Sequence, residues 1–179
     1  MPTKDFQSIA IPIATSAGPF LATFSETGLA ELEFPSNRRR SSTTRKPDGR
    51  ISNWAELTRT ALEAVLSGHE PEQFPPLDLS RGSPFQQQVW KALQEIPFGS
   101  TVAYGEIGAR VGKAMASRAI GNACGANPIP VLIPCHRVVA KGGIGGFSAG
   151  LEWKRRLLEI EGTLPPAEAT WQFDALCNG

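Results

Sequence analysis

Residues 116–139 read Ala-Ser-Arg-Ala-Ile-Gly-Asn-Ala-Cys-Gly-Ala-Asn-Pro-Ile-Pro-Val-Leu-Ile-Pro-Cys-His-Arg-Val-Val. Two kinds of segment meet at Asn127. Before it lies a helix-forming stretch of small side chains: Ala116, Ser117, Ala119, Gly121, Ala123, Gly125 and Ala126, with Arg118 as its only long cation. Such a helix can pack tightly on a neighbour, or bring its backbone close to a narrow surface such as a DNA groove. Residues 104–111 suit a second short helix, and Gly112-Lys113-Ala114-Met115 would join the two. The pair predicts a helix-turn-helix. After Asn127, which is placed to hold a turn, an apolar run passes through Pro134 into Cys135-His136-Arg137.

A free thiol has a pKa near ~8.5, so only a few per cent is thiolate at neutral pH. Apolar surroundings raise that value further. A reactive Cys135 therefore needs help, and His136 is the base beside it. The one other histidine, His69, falls at a predicted helix end and is expected to be exposed. Buried cysteine is more often inert packing than nucleophile, so the pair alone leaves both readings open. Cys124 reads as a small core residue near the pocket, and Cys177 as an incidental tail thiol. A zinc site from Cys124, Cys135 and His136 is poor on spacing, since no C-x-x-C pair exists.

Working outward, Ser83-Pro84-Phe85-Gln86 opens a helix: Ser83 caps, Pro84 takes the first turn and Gln86 closes the box. Phe85, Val89, Trp90 and Leu93 form its apolar stripe, and Pro97-Phe98-Gly99 stops it. Gly142-Gly143-Ile144-Gly145-Gly146 is either a loop that lets a ligand approach closely or an ordinary flexible hairpin. A last helix over residues 152–160 is expected to turn Leu157, Leu158 and Ile160 inward and Lys154, Arg155 and Arg156 outward. Gly162 ends it. Trp171 and Phe173 lie in the tail beyond.

Toward the N-terminus, residues 8–34 alternate with a period of two. Ile9, Ile11 and Ile13 share one face, residues 20–24 follow, and Ala30, Leu32 and Phe34 alternate with Glu31 and Glu33 after a turn at Glu26-Thr27-Gly28. A small antiparallel meander accounts for them. Residues 36–50 carry six bases and one acid and read as a surface loop. Arg38, Arg39 and Arg40 could touch phosphates, though a charge run is usually solvated. Residues 54–66 suit a helix capped by Asn53 with Glu56, and the Pro-rich residues 70–82 suit a linker.

The 179 residues, 41% hydrophobic and 20% charged, can build a core and exclude wholesale disorder. Net charge is +1, but residues 1–80 hold 8 bases and 10 acids while residues 81–162 hold 10 bases and 5 acids. A basic second half suits a nucleic-acid face as well as a plain solvated surface. Three cysteines without framework spacing argue against a disulfide scaffold. No apolar run reaches the ~20 residues of a membrane helix, and residues 1–14 lack a long apolar core. The expectation is an intracellular location, cytoplasmic, or nuclear in a eukaryote.

Residues 83–162 closely resemble the catalytic domain of the O6-alkylguanine-DNA alkyltransferases, the methylated-DNA–protein-cysteine methyltransferases. The matching pieces are Ser83-Pro84-Phe85-Gln86, Val102-Ala103-Tyr104, Ser117-Arg118-Ala119-Ile120-Gly121, Asn127-Pro128, residues 133–139, Gly145-Gly146-Phe147-Ser148 and Glu161-Gly162. Residues 1–80 resemble the family's variable N-terminal domain only in length and strand-rich pattern. The resemblance implies an α/β (α+β) protein in two parts: a sheet-containing domain over 1–80 and a mainly helical catalytic, DNA-binding domain over 81–179.

It also implies direct, irreversible, stoichiometric transfer of an alkyl group from O6-alkylguanine in double-stranded DNA to Cys135. His136 would draw the thiol proton through a water, and Glu161 would hold the imidazole. Tyr104 would give a proton to the leaving purine. Arg118 would fill the space left by a nucleotide flipped from the minor-groove side. Ser117, Ala119 and Gly121 would share that DNA-binding helix. Asn127, Pro130, Val138, Phe147 and Ser148 would shape the substrate pocket. The implied protein is a monomer using no cofactor, no metal and no obligate protein partner.

The sequence departs from the family in places. Many relatives carry Tyr where this chain has Phe147, and the loop over 141–145 is one residue shorter than in many. The zinc site of some relatives' N-terminal domains is not expected, because residues 1–80 hold no Cys and one His. Nor is the cysteine-rich phosphotriester-repair domain of others. Three other readings compete: a lesion-binding relative without transfer, disfavoured because Cys135 is present; a sequence-reading regulator, disfavoured by the few base-reading side chains; and a cysteine hydrolase, for which no independent motif is found.

Overall fold

A computed structural model of the chain describes residues 8–36 and 46–164. The three arginines of the basic loop and the aromatic tail with Cys177 lie outside the described residues. Strands β1 (Ile9–Ile13), β2 (Phe20–Phe24) and β3 (Leu29–Glu33) form an antiparallel meander in that order. Alternation places Ile9, Ile13, Phe20, Ala22, Phe24 and Leu32 inside, as a period of two demands. The turn after β2 closes through Ser25 N–H to the Gly28 carbonyl at 2.8 Å. A register shift between Thr23 and Phe24 accompanies it.

Helix α1 (Gly49–Leu66) begins a turn earlier than the sequence suggested, because Asp48, not Asn53, is its cap. The Asp48 carboxylate accepts the Ile51 amide at 2.8 Å. Ile51, placed by the sequence reading outside the helix, is buried and needs that extra turn to reach the core. The Pro-rich segment after α1 is pinned to the sheet. Leu29 N–H donates to the Pro76 carbonyl and Asp78 N–H to the Leu29 carbonyl, each at 2.8 Å. Gly28 allows this, since a Cβ there would lie 2.2 Å from the Pro76 oxygen.

Helix α2 (Pro84–Gln94) starts at the capping box of Ser83 and Gln86, with Pro84 in the first turn, as expected. Strand β4 (Val102–Ala103) runs into α3 (Tyr104–Arg110), and residues 111–116 lead to α4 (Ser117–Gly125). Helix α4 packs on both α2 and α3. The Trp90 indole N–H fastens it by donating to the Ala123 carbonyl at 2.9 Å. A 3-10 turn over Cys135–Arg137 leads into β5 (Val138–Val139), which pairs in parallel with β4. That pairing sets the start of α3, and so Tyr104, beside the Cys-His-Arg turn. Helix α5 (Leu151–Ile160) closes the fold.

One buried apolar cluster runs from Ile9 to Leu157. The N-terminal sheet also touches the turn that precedes Cys135: Leu32 N–H donates to the Pro128 carbonyl at 2.8 Å. No helix among the described residues is long and apolar enough to cross a membrane.

Candidate active site

The turn before Cys135 is strained and clasped. Val131 has φ of 75°, the only non-glycine residue with positive φ among the described residues. A β-branched residue there costs on the order of 1–3 kcal/mol. One side chain spans the turn. The Asn127 oxygen accepts the Ile129 amide at 3.0 Å, and its Nδ2 donates to the Ile133 carbonyl at 2.8 Å. The same Nδ2 reaches Cys135 Sγ at 3.1 Å. Asn127 thus holds the turn, as the sequence suggested, and also offers a hydrogen to the sulfur.

Cys135 and Cys124 line one cavity of about 510 Å³. Tyr104, Ser117, Arg118, Gly121, Phe147 and Ser148 contribute to its wall. Burial pushes the Cys124 thiol up to about 12, with the neighbouring Cys135 adding to the rise. Burial also pushes Cys135 up, to about 11, while Asn127, the Lys154 charge and nearby backbone hydrogen bonds pull it back. Of the two sulfurs, Cys135 is the one to which Asn127 offers a hydrogen. Both are thiols at neutral pH, so proton loss from Cys135 must be assisted.

His136 and Glu161 form a buried imidazole–carboxylate pair. His136 Nε2 lies 2.7 Å from Glu161 Oε1, and both side chains are buried. A carboxylate at Nε2 fixes the proton there and leaves the lone pair on Nδ1. That Nδ1 is buried without a hydrogen-bond partner among the described residues. Burial lowers the imidazole pKa, against the raising effect of Glu161, so the ring is neutral. Burial would raise the Glu161 carboxyl, but hydrogen bonds from His136 and Arg137 outweigh it and hold it ionised.

Arg137 completes the array. Its Nε donates to Glu161 Oε2 at 2.8 Å, its Nη2 to Oε1 at 3.1 Å and its Nη1 to the Ile96 carbonyl at 2.7 Å. The sequence reading quoted Arg137 within the motif and gave it no role. Its fork neutralises a carboxylate that burial would otherwise penalise heavily.

Lys154 corrects the sequence reading. It was expected to face outward, yet it has no exposed surface. Its Nζ donates to the Val138 carbonyl at 2.7 Å and the Gly146 carbonyl at 3.0 Å. Burial lowers its pKa, and the Cys135 and Cys124 sulfurs act to raise it. The spacing held the clue: residues 154, 157, 158 and 161 form an i, i+3, i+4, i+7 stripe, the inward face of α5. Reading a cation as an outward residue overruled a sound period.

Tyr104 lies half-buried in the wall. Burial raises its pKa, and the nearby sulfurs raise it further. Gly145, with φ of +71°, makes room for it: a Cβ there would sit 3.1 Å from the Tyr104 hydroxyl. The glycine-rich stretch turns as a hairpin, closed by Ala140 N–H to the Gly143 carbonyl at 3.0 Å, and its close approach is to Tyr104.

Ser117, Arg118 and Ala119 are exposed on α4, and Gly121 faces the cavity. Phe147 and Ser148 line it. Asn127 stands behind the sulfur, while Pro130 and Val138 are buried and are not among the cavity's lining residues. Asn122 and Gly125, given no pocket role from sequence, do line it.

Fold and site together define a class: α+β proteins that set a cavity-lining cysteine next in sequence to a buried imidazole–carboxylate pair. Residues 84–163 match the family model described as 6-O-methylguanine DNA methyltransferase, DNA binding domain. A methylated-DNA–protein-cysteine methyltransferase of Methanosarcina acetivorans is 40% identical over 150 residues, covering 82% of this chain and 93% of that one. A probable member from Acanthamoeba polyphaga mimivirus is 52% identical over 91 residues, 50% of this chain and 61% of its own length. The crystal structure of Mycobacterium tuberculosis OGT in complex with DNA superposes with a TM-score of 0.66 at 37% identity, covering 90% of this chain and 96% of that one. The chain belongs to the methylated-DNA–protein-cysteine methyltransferase family.

Proposed function

We propose that this protein repairs O6-alkylguanine in double-stranded DNA by moving the alkyl group, once and irreversibly, to Cys135 Sγ. The observation that carries the reading is the shared cavity: Cys135, Tyr104, Arg118 and Ser148 converge on it at the face of α4. Helix α4 offers small exposed side chains that suit close approach to the minor groove. Arg118 stands at the exposed start of that helix, where it can fill the gap left by a flipped nucleotide. Unstacking a base costs a few kcal/mol, and the extruded base then becomes open to in-line attack.

In the proposed step, the thiol proton passes through a water to His136. Sulfur attacks the alkyl carbon, a C–S bond forms, and the C–O bond breaks toward guanine. Tyr104 donates a proton to the departing purine, so that neutral guanine leaves. Asn127 and Lys154 stabilise the developing thiolate, one by its hydrogen and the other by its charge. A thioether has no ready leaving chemistry, which makes one protein molecule the cost of each lesion. Residues 81–179 would carry the reaction and residues 1–80 support it, within an intracellular monomer that needs no cofactor or obligate protein partner.

The test is a duplex oligonucleotide with one O6-methylguanine, followed by intact-protein mass and peptide mapping. One added methyl on the peptide containing Cys135, lost from the DNA and absent in Cys135→Ala, is expected. Tight binding without a mass change would instead indicate a lesion sensor, and neither binding nor transfer would reject repair.

A further inference from the structure

Four aromatic rings join the N-terminal sheet to the cavity wall. Phe34, just past the end of β3, lies 5.4 Å from the Phe20 ring, 4.7 Å from the Trp153 ring and 5.8 Å from the Phe147 ring. Its contact with Phe147 is edge-to-face, at 77°. Phe20 and Trp153 also touch, 5.9 Å apart, so Phe34 rests on a braced pair. Phe147 has no other ring partner among the described residues.

Phe147 needs that support. It sits in a segment with glycine at 142, 143, 145, 146 and 150, where the backbone is soft. The backbone is tied by Lys154 to the Gly146 carbonyl and by Gly150 N–H to the Phe147 carbonyl. Neither tie reaches the ring. A phenylalanine also lacks the hydroxyl that could anchor it by a hydrogen bond, so packing alone fixes its angle. Its free side faces the cavity that Cys135 shares.

We infer that Phe34, the residue that follows β3 of the N-terminal sheet, sets the size of alkyl group the cavity admits, by holding the Phe147 ring in place as its wall. The inference rests on the alkyl-transfer reading above. Phe34 is a positioning residue: it meets the substrate only through Phe147. With the brace gone, the ring can swing toward the space Phe34 occupied. A methyl group gains nothing from the added room, whereas an aryl or branched group does.

The test uses one duplex sequence carrying either O6-methylguanine or O6-benzylguanine, and the ratio of single-turnover transfer rates. In Phe34→Ala the benzyl-to-methyl ratio should rise about tenfold, the lower end of what one misfitted methylene costs in an apolar pocket. Phe34→Leu, which keeps apolar bulk, should hold the ratio within about twofold of wild type. Phe147→Ala should raise it too, and adding Phe34→Ala to that variant should change nothing more, since the two share one route. A simple loss of stability lowers both rates together and leaves the ratio alone. A ratio unchanged in Phe34→Ala but raised in Phe147→Ala overturns the inference, as does one unchanged in both. A wild-type protein that transfers neither group overturns the transfer reading itself.

Discussion

The N-terminal sheet and the active-site half bury different things. Six polar or charged residues are buried among the described residues. Thr58 alone lies before α2, and its hydroxyl merely returns to the Trp54 carbonyl in its own helix. Asn127, His136, Arg137, Lys154 and Glu161 all cluster around the Cys135 turn. The sheet is held by apolar burial, which is non-directional and forgiving of volume-conserving change. The site is held by groups that are expensive to bury and valuable only when every partner is present. Stability and chemistry are thus divided between regions that nevertheless share one core.

That division can be broken hardest at Glu161. Glu161→Gln keeps the shape but leaves the Arg137 cation buried without its counter-charge, at about 3–5 kcal/mol. It also permits the wrong His136 tautomer, and in hydrolase triads the equivalent change slows catalysis by up to about 10⁴. Single-turnover methyl transfer should fall by at least about a hundredfold, alongside a lowered urea midpoint. A variant with full rate would remove His136–Glu161 from the mechanism. Phe24→Ala probes the other region. Phe24 is fully buried, so its truncation should cost about 3–5 kcal/mol in denaturant unfolding. The transfer rate per folded molecule should stay within about threefold of wild type, as expected for independent sites. A large loss of rate per folded molecule would mean that sheet packing and chemistry are not separable.

The smallest effect lies where the Pro-rich segment meets the sheet. Ser25 donates to Asp78 Oδ2 at 2.5 Å. Partial burial pushes the Asp78 carboxyl up, but hydrogen bonds from Ser25, Ser80 and Thr27 outweigh it and bring the pKa down to about 2 from 3.8. A folded-state pKa below the unfolded one gives stability that is present above pH 3.8 and lost as pH falls through about 2. Ser25→Ala should raise the Asp78 pKa toward its unfolded value and move acid unfolding to slightly higher pH. Stability near neutrality should change by under about 1 kcal/mol. An unshifted acid limb would show that the pin contributes nothing.

Much of this was legible from the residues. Period-two alternation read the meander, and Ser83, Pro84 and Gln86 marked the start of α2, because those patterns report local physics. The residues themselves paired Cys135 with His136 and put Asn127 at a turn, whereas Glu161 came only from the family resemblance, being 25 residues from His136 in sequence. Reading failed where tertiary contacts overrode local preference. Asp48 outcompeted Asn53 as a cap because Ile51 had to reach the core. Lys154 turned inward because two backbone carbonyls, 8 and 16 residues away in sequence, awaited it. The helical period did mark Lys154 as inward, but nothing local announces the partners it meets there. The segment over residues 70–82, read as a linker, is docked on the sheet through distant backbone partners at Leu29.

Lys154 and Arg118 differ in one further respect, their exposure to dissolved ions. Mobile ions screen exposed charges over a Debye length of about 8 Å at physiological ionic strength, and sealed charges far less. In the repair reading, added salt weakens the phosphate contacts made near Arg118, because each released counterion then gains less free energy. The field that Lys154 lays on the Cys135 sulfur stays as it was. Ionic strength therefore acts on docking and leaves the bond-making step untouched, so the two can be told apart by salt alone.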